Sequence, residues 1–286
     1  LEKVLPGFCD GWLEDESVME WARGRARENM SAFKGGYIQH PFMPAYLFEN
    51  GIRPLERFQV KGAIWYQGES NVENIPQHEI LFRTLVDCWR QTWKNPELPF
   101  YFVQLSSIGR PTWPEFRNSQ RLLSLEIPHC GMAVSSDLGH PTDVHPRAKK
   151  PVGERLARLA LRNDYGKQVE CLAPAATKAF LNDSGNVTVL FDSPISVPGT
   201  MPVRGFRICL EDGSEIPASA EISGSDAVIL SRDAGRPDAA ADSKNTKADS
   251  STAIVKVKYA WDPWTDANLT GTTGLPVSTF DIEIGE

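Results

Sequence analysis

The sequence has no run of about twenty apolar residues, the length a membrane-spanning helix needs. It also has no pair of cysteines at C-x-x-C spacing, which argues against a zinc or redox motif. Its five cysteines (Cys9, Cys88, Cys130, Cys171, Cys209) are scattered, and an odd number leaves at least one thiol unpaired within the chain. Cys88 and Cys209 fall in segments that read as core elements, where a buried free thiol is the ordinary outcome. Positive charge is not in excess: 30 Lys and Arg against 37 Asp and Glu give a formal net charge of −7. That balance argues against nucleic acid or an anionic membrane as partner, since both reward basic surfaces. The opening Leu1-Glu2-Lys3-Val4 has no initiator methionine and no basic stretch followed by an apolar segment; the chain reads as the remainder of something longer. What is present, 41% hydrophobic and 23% charged residues over 286 positions, is globular in character, with room for one large domain or two ordinary ones.

Helical spacing from Asp15 to about Phe33 predicts a surface helix, and Pro41, Pro44 and Pro54 then break the chain into short pieces. A β-α alternation follows. Strand 60–66 precedes a helix from about Pro76 to Trp93, with Ile80, Leu81, Leu85 and Cys88 expected on its inner face. A strand from Pro99 to Ser106 precedes a helix near Pro114–Leu125. A third strand, Gly131–Ser136, leads to a helix at Pro151–Arg162 whose Leu156, Leu159 and Ala160 face the sheet. Three such units predict an α/β domain: a partial doubly wound parallel sheet in three α/β/α layers, spanning residues 1–166. Three strands are few for that architecture. After about Gly166, short β-rich runs recur at Val187–Phe191, Val203–Leu210, Ala227–Leu230, Ile254–Tyr259 and Thr279–Ile284. They predict an antiparallel β-sandwich-like accessory domain over 167–286, with Asp233–Thr252 as a long hairpin loop.

Two polar loops stand at carboxyl ends of predicted parallel strands, the edge where open α/β sheets place their chemistry. One is Gln67-Gly68-Glu69-Ser70-Asn71, after Val60–Tyr66. The other is Asp137-Leu138-Gly139-His140-Pro141-Thr142-Asp143-Val144-His145-Pro146, after Gly131–Ser136. Asp137, His140, Asp143 and His145 lie close in sequence and pose a metal-dependent hydrolase as an alternative. Trp113, between prolines, is the better candidate for stacking on a sugar ring, whereas Trp65 and Tyr66 read as core and pocket wall. His78 and His129 read as surface residues, and His40 is undecided.

These loops resemble the sialate O-acetylesterase family, a branch of the SGNH-type esterases. The match runs through Lys61-Gly62-Ala63-Ile64-Trp65-Tyr66-Gln67-Gly68-Glu69-Ser70-Asn71, Leu98-Pro99-Phe100, Val103-Gln104-Leu105, Arg117 and Gln120. It continues through Asp137-Leu138-Gly139, Asp143-Val144-His145-Pro146, Val152-Gly153-Glu154-Arg155-Leu156-Ala157 and the tail around Tyr259-Ala260-Trp261.

The resemblance implies an SGNH-hydrolase-like fold, a secreted or periplasmic location and no cofactor. It implies hydrolysis of acetyl esters of sialic acid or related sugars, xylan included, with a serine nucleophile and a histidine base. His145 matches the catalytic histidine; Gln67 and Gly68 match the oxyanion donors. Asp143 either orients the imidazole or caps the following turn, in which case a backbone carbonyl or Asp137 does the orienting. Glu69, Asn71, Arg117 and Asp137 match site-supporting positions, and Glu69 equally suits a loop anchor. The family's nucleophile sits in an earlier Gly-Gln-Ser-Asn-Met block that this chain lacks, so Ser70 reads as a loop residue. The serine is then expected on a companion segment or chain. The competing reading from another class is a non-catalytic carbohydrate-binding fragment.

Overall fold

The computed structural model describes residues 11–34, 40–232 and 252–285. Leu1–Val4, Cys9 and nearly all of the expected 233–252 loop lie outside them. The chain divides into two compact units. The first holds Leu1–Ala63, Ser70–Phe100 and Ile127–His129; the second holds Ile64–Glu69, Tyr101–Glu126 and Cys130–Glu286.

In the first unit, α1 (Glu20–Ser31) is shorter than the expected surface helix and buries only Ala22 and Ala26. Its first-turn Glu20 pairs with Arg23 at 2.9 Å and Arg27 at 3.3 Å. The helix α2 (Ile75–Thr92) starts at Asn74, whose Oδ1 accepts the Gln77 N–H at 3.3 Å, with Pro76 in the first turn where no donor is wasted. Its buried stripe is His78, Phe82, Val86 and Arg90, not Ile80, Leu81, Leu85 and Cys88 as periodicity suggests; Ile80 is exposed. The reason is chemical. Arg90 can be buried because Nε donates to Leu98 O at 3.2 Å and Nη2 to Pro128 O at 2.6 Å. His78 can be buried because it is neutral and stacks on Phe82, with ring centroids 5.8 Å apart.

His78 therefore corrects the surface reading. Burial pushes its pKa down to about 4 from the ordinary 6.5. A histidine with a depressed folded pKa stabilises the fold above the unfolded value, and that stability is lost as pH falls from about 6.5 to about 4, where the unfolded chain takes up the proton first. The expected loss is on the order of 3 kcal/mol. Urea unfolding at pH 7.5 and 4.5 should show it in the wild type and show most of it removed in His78→Leu. His40, left undecided above, is also buried, and its Nδ1 accepts the Phe42 N–H at 3.1 Å. His129 is at the surface, as expected.

The three parallel strands β1 (Ala63–Trp65), β2 (Phe100–Val103) and β3 (Cys130–Ala133) lie in the order β1-β2-β3. In the second unit α3 (Trp113–Glu126) and α4 (Lys149–Asn163) both pack on β3. Tyr101, Val103 and Ala133 meet Val152, Leu156 and Leu159 of α4 in one apolar cluster, with Ala160 at its margin. Gly131 lets them close, since a Cβ there would sit 3.0 Å from the Tyr101 ring and 3.3 Å from Leu159.

The chain then turns antiparallel. Strands β4 (Ala176–Leu181), β5 (Val187–Phe191), β7 (Phe206–Leu210), β8 (Glu215–Ser223), β9 (Ala227–Arg232), β10 (Ile254–Tyr259) and β12 (Phe280–Glu283) form one seven-stranded sheet in the order β12-β10-β7-β8-β9-β5-β4. A short ladder pairs β6 (Ile195–Ser196) with β11 (Thr270–Gly271). The sandwich-like expectation takes the form of a single curled sheet whose edges meet. Gly285 N, just past β12, donates to Ala179 O of β4 at 2.8 Å. Alternation does the folding here: Val187, Val189 and Phe191 point inward with Val228, Leu230, Ile208 and Val257. Each such side chain contributes about 1.5–3 kcal/mol by leaving water. No helix among the described residues is long and apolar enough to cross a membrane.

Candidate active site

The turn after β1 is built around a glycine. Gly68 has φ +149°, and a Cβ there would lie 2.8 and 2.9 Å from Cε1 and Cζ of Phe116, so only glycine lets this backbone rest on α3. Gln67 beside it is exposed and Glu69 half-buried. Lys149 Nζ lies 4.5 Å from the centre of the Tyr66 ring, bringing the start of α4 to the end of β1. Asn71 belongs to the first unit, where its carbonyl accepts the Asn74 N–H at 3.0 Å and leads into the α2 cap. Ser70 is exposed in the same turn.

The ends of β2 and β3 are locked by buried polar bonds. Ser135 Oγ donates to Gln104 O at 2.6 Å, Ser107 Oγ to Ser136 O at 2.7 Å, and the Leu105 N–H to Gln120 Oε1 at 2.9 Å. A Cβ on Gly139 would collide with Ser107, so the second loop passes flush against the end of β2. His140 N donates to Ser107 O at 3.1 Å. Its Nδ1 accepts the N–H of Thr142 at 3.2 Å and of Asp143 at 3.0 Å, and so bears no proton. Downstream, the Asp143 carboxylate accepts the His145 N–H at 2.9 Å, and the same Oδ1 stands 3.8 Å from His145 Nδ1. Asp143 thus caps the turn and also faces the imidazole, beyond direct hydrogen-bond reach. The His145 side chain is 88% exposed. Asp137 is held differently: Arg155 grips both carboxylate oxygens at 2.7 Å and donates to Val134 O at 2.6 Å. Its charge is spent on Arg155.

Gln67, Gly68, Asp143 and His145 leave the carboxyl edge of one parallel sheet, within one unit. The family model described as carbohydrate esterase, sialic acid-specific acetylesterase, matches residues 29–162 and so spans both loops. The matched segment is that of the sialate O-acetylesterase family. The mouse sialate O-acetylesterase is 28% identical over 79% of this chain and 44% of its own length, and the Pongo abelii one is 26% identical over 86% and 50%. The crystal structure of a carbohydrate acetylesterase from Xanthomonas citri is 35% identical, with a TM-score of 0.68 over 81% of this chain and 52% of that one. The chain therefore spans about half the length of the curated relatives it matches.

Other positions take their place around these loops. Arg117, 0% exposed, donates through Nε to Thr279 Oγ1 at 2.9 Å, through Nη1 to Pro263 O at 3.0 Å, and through Nη2 to Ala260 O and Asp262 O at 2.7 Å. Burial lowers its pKa to about 10, still charged at neutral pH. It is a strut between α3 and the segment after β10. Trp113 corrects the sugar-platform expectation: it is 1% exposed, and its indole N–H donates to Ser106 O at 2.6 Å. Flanking prolines suggest an open loop, but Trp113 begins α3 and faces the core. Asp137 is taken by Arg155 and His140 by backbone N–H groups. Among the described residues no group of three or more His, Cys, Asp or Glu is placed to hold an ion. None of the four described cysteines is in a disulfide; Cys209 is buried and Cys88 half-buried.

The sequence reading missed a cleft of about 620 Å³ in the second unit. Ser107, Ser136, Asp137 and Gly139 line one side, and Arg204, Trp264 and Asp266 line another; Gln67, Gly68, Asp143 and His145 do not line it. The one signal in the sequence was an aromatic in the Asp-, Pro- and Asn-containing stretch 262–268.

Proposed function

We propose that this chain is the histidine-bearing part of a carbohydrate O-acetylesterase that removes acetyl groups from sialic acid or related sugars, in a secreted or periplasmic setting. One observation carries the reading. A turn with an exposed amide and a flush glycine, and a turn with an exposed imidazole backed by a carboxylate, leave the same edge of a parallel sheet.

In the proposed reaction a serine Oγ attacks the acetyl carbonyl carbon while His145 takes its proton. The carbonyl oxygen becomes an oxyanion and is held by the Gln67 side-chain amide and the Gly68 N–H. The intermediate collapses to acetyl-serine, and His145 returns the proton to the departing sugar hydroxyl. Water, deprotonated by His145, then attacks the acetyl-serine carbonyl; acetate leaves as His145 returns the proton to the serine Oγ. Asp143 stabilises the imidazolium through space, Asp137 fixes the loop through Arg155, Glu69 and Asn71 support the first turn, and Arg117 braces α3 against the segment after β10. The serine is supplied by sequence outside these residues; what supports this is that they contain no Gly-Gln-Ser-Asn block.

On this reading the chain alone does not hydrolyse p-nitrophenyl acetate above the uncatalysed rate. Turnover by the chain that disappears in Ser70→Ala would make Ser70 the nucleophile and overturn the assignment.

A further inference from the structure

The cleft that the esterase mechanism does not use has the composition of a sugar-ring site. Trp264 is 45% exposed at its lining, a large aromatic left open to water. Its backbone is not loose. The preceding Pro263 O accepts both Arg117 Nη1 and the Ile108 N–H at 3.0 Å. The following Thr265 is buried, and its hydroxyl accepts the Ala267 N–H at 3.2 Å. The indole is therefore presented by a clamped segment, which lowers the entropy lost when a flat ligand face stacks on it.

Across the lining, Arg204 Nε meets Asp266 Oδ2 at 2.9 Å. Asn268 steadies the pair by accepting the Arg204 N–H and donating to Pro202 O, both at 2.9 Å. Together the two side chains present N–H donors and carboxylate acceptors side by side, the arrangement that engages neighbouring hydroxyls. The charges decide the ligand class. Among the described residues Arg204 is the one cationic residue lining the cleft, and Asp266 neutralises it; the other ionisable group, Asp137, is neutralised by Arg155. Among the described lining residues no positive charge is left over for a sugar carboxylate.

We propose that this cleft binds an uncharged pyranose, its apolar face on Trp264 and its hydroxyls on Arg204 and Asp266. It serves as the glycan-recognising subsite of the esterase. The site lies at the carboxyl ends of β2 and β3, and its Asp137 and Gly139 share a loop with Asp143 and His145. The inference rests on the carbohydrate reading of the chain but not on catalysis, so binding tests it apart from hydrolysis.

Calorimetric titration of the chain with xylotetraose, cellotetraose and mannotetraose should show saturable binding to at least one. N-acetylneuraminic acid should bind about tenfold more weakly or not at all. Trp264→Ala should weaken the neutral ligand about tenfold or more at unchanged thermal unfolding, because the side chain is half open to water. Absence of binding to all three neutral oligosaccharides, equal binding by Trp264→Ala, or preference for N-acetylneuraminic acid would each overturn the proposal. Any of those results, obtained alongside acetyl-ester hydrolysis by the serine-containing protein, would leave the esterase reading standing.

Discussion

In a preparation that contains both this chain and the serine-bearing sequence, His145→Ala is expected to lower kcat for acetyl-ester hydrolysis by about 10⁴-fold, with KM little changed, because the base acts mainly in the transition state. The imidazole is 88% exposed, so its removal costs the fold almost nothing, and the loss reads as chemistry. Asp143 divides the effect further. Its Oδ1 accepts the His145 N–H at 2.9 Å and stands 3.8 Å from Nδ1. Asp143→Asn keeps an acceptor for the turn and removes the negative charge facing the ring. A fall of about tenfold or more in kcat, with the rate now rising at a lower pH, identifies an imidazolium stabiliser. An unchanged rate and pH profile leaves Asp143 as a turn cap only. Initial rates across pH 5 to 9 for the two variants and the wild type decide it.

Arg117→Met is expected to destabilise the chain by about 3–5 kcal/mol, the range for removing one partner from a buried charge-assisted network. The oxygens of Ala260, Asp262, Pro263 and Thr279 would lose their shared donor group inside the fold. Arg117→Lys should recover only part of the loss, since an ammonium has three donors on a point and cannot reproduce the planar fork. Urea unfolding of the three proteins measures both effects. The guanidinium is buried beneath the Pro263–Trp264 segment's backbone, so the same change should also loosen the sugar cleft and weaken oligosaccharide binding in whatever fraction stays folded.

The parallel strands were legible because each is a short apolar run closed by a polar turn: Val60–Tyr66 ends in Gln67-Gly68, and Gly131–Ser136 runs into Asp137. The inward alternation of Val187, Val189 and Phe191 made the antiparallel part equally plain. Strand β8 was not legible. Glu215–Ser223 carries Pro217 and two alanines, and its inward face of Ile216, Ala218, Ala220 and Ile222 is only half-buried against the core, so pairing with β7 and β9 defines the strand. The inner face of α2 was misread because hydropathy cannot register that Arg90 finds the carbonyls of Leu98 and Pro128, or that His78 is neutral. Trp113 was misread, and Trp264 passed over, for the same kind of reason. Both sit beside prolines, but one is drawn into the core by Ser106 O while the other is held outward by the clamp on Pro263. The candidate catalytic positions could be read from motif order; that Asp137 is committed to Arg155, and that a cleft opens beside it, needed the fold.

The most direct test of the account is the address of the nucleophile. An active preparation treated with a fluorophosphonate, which forms a stable bond to an activated serine, can be digested and the modified peptide sequenced. The account predicts a single modified serine, in a Gly-x-Ser-Asn sequence outside these 286 residues, and loss of labelling in His145→Ala. Modification of Ser70, or of any other serine within this chain, would contradict it.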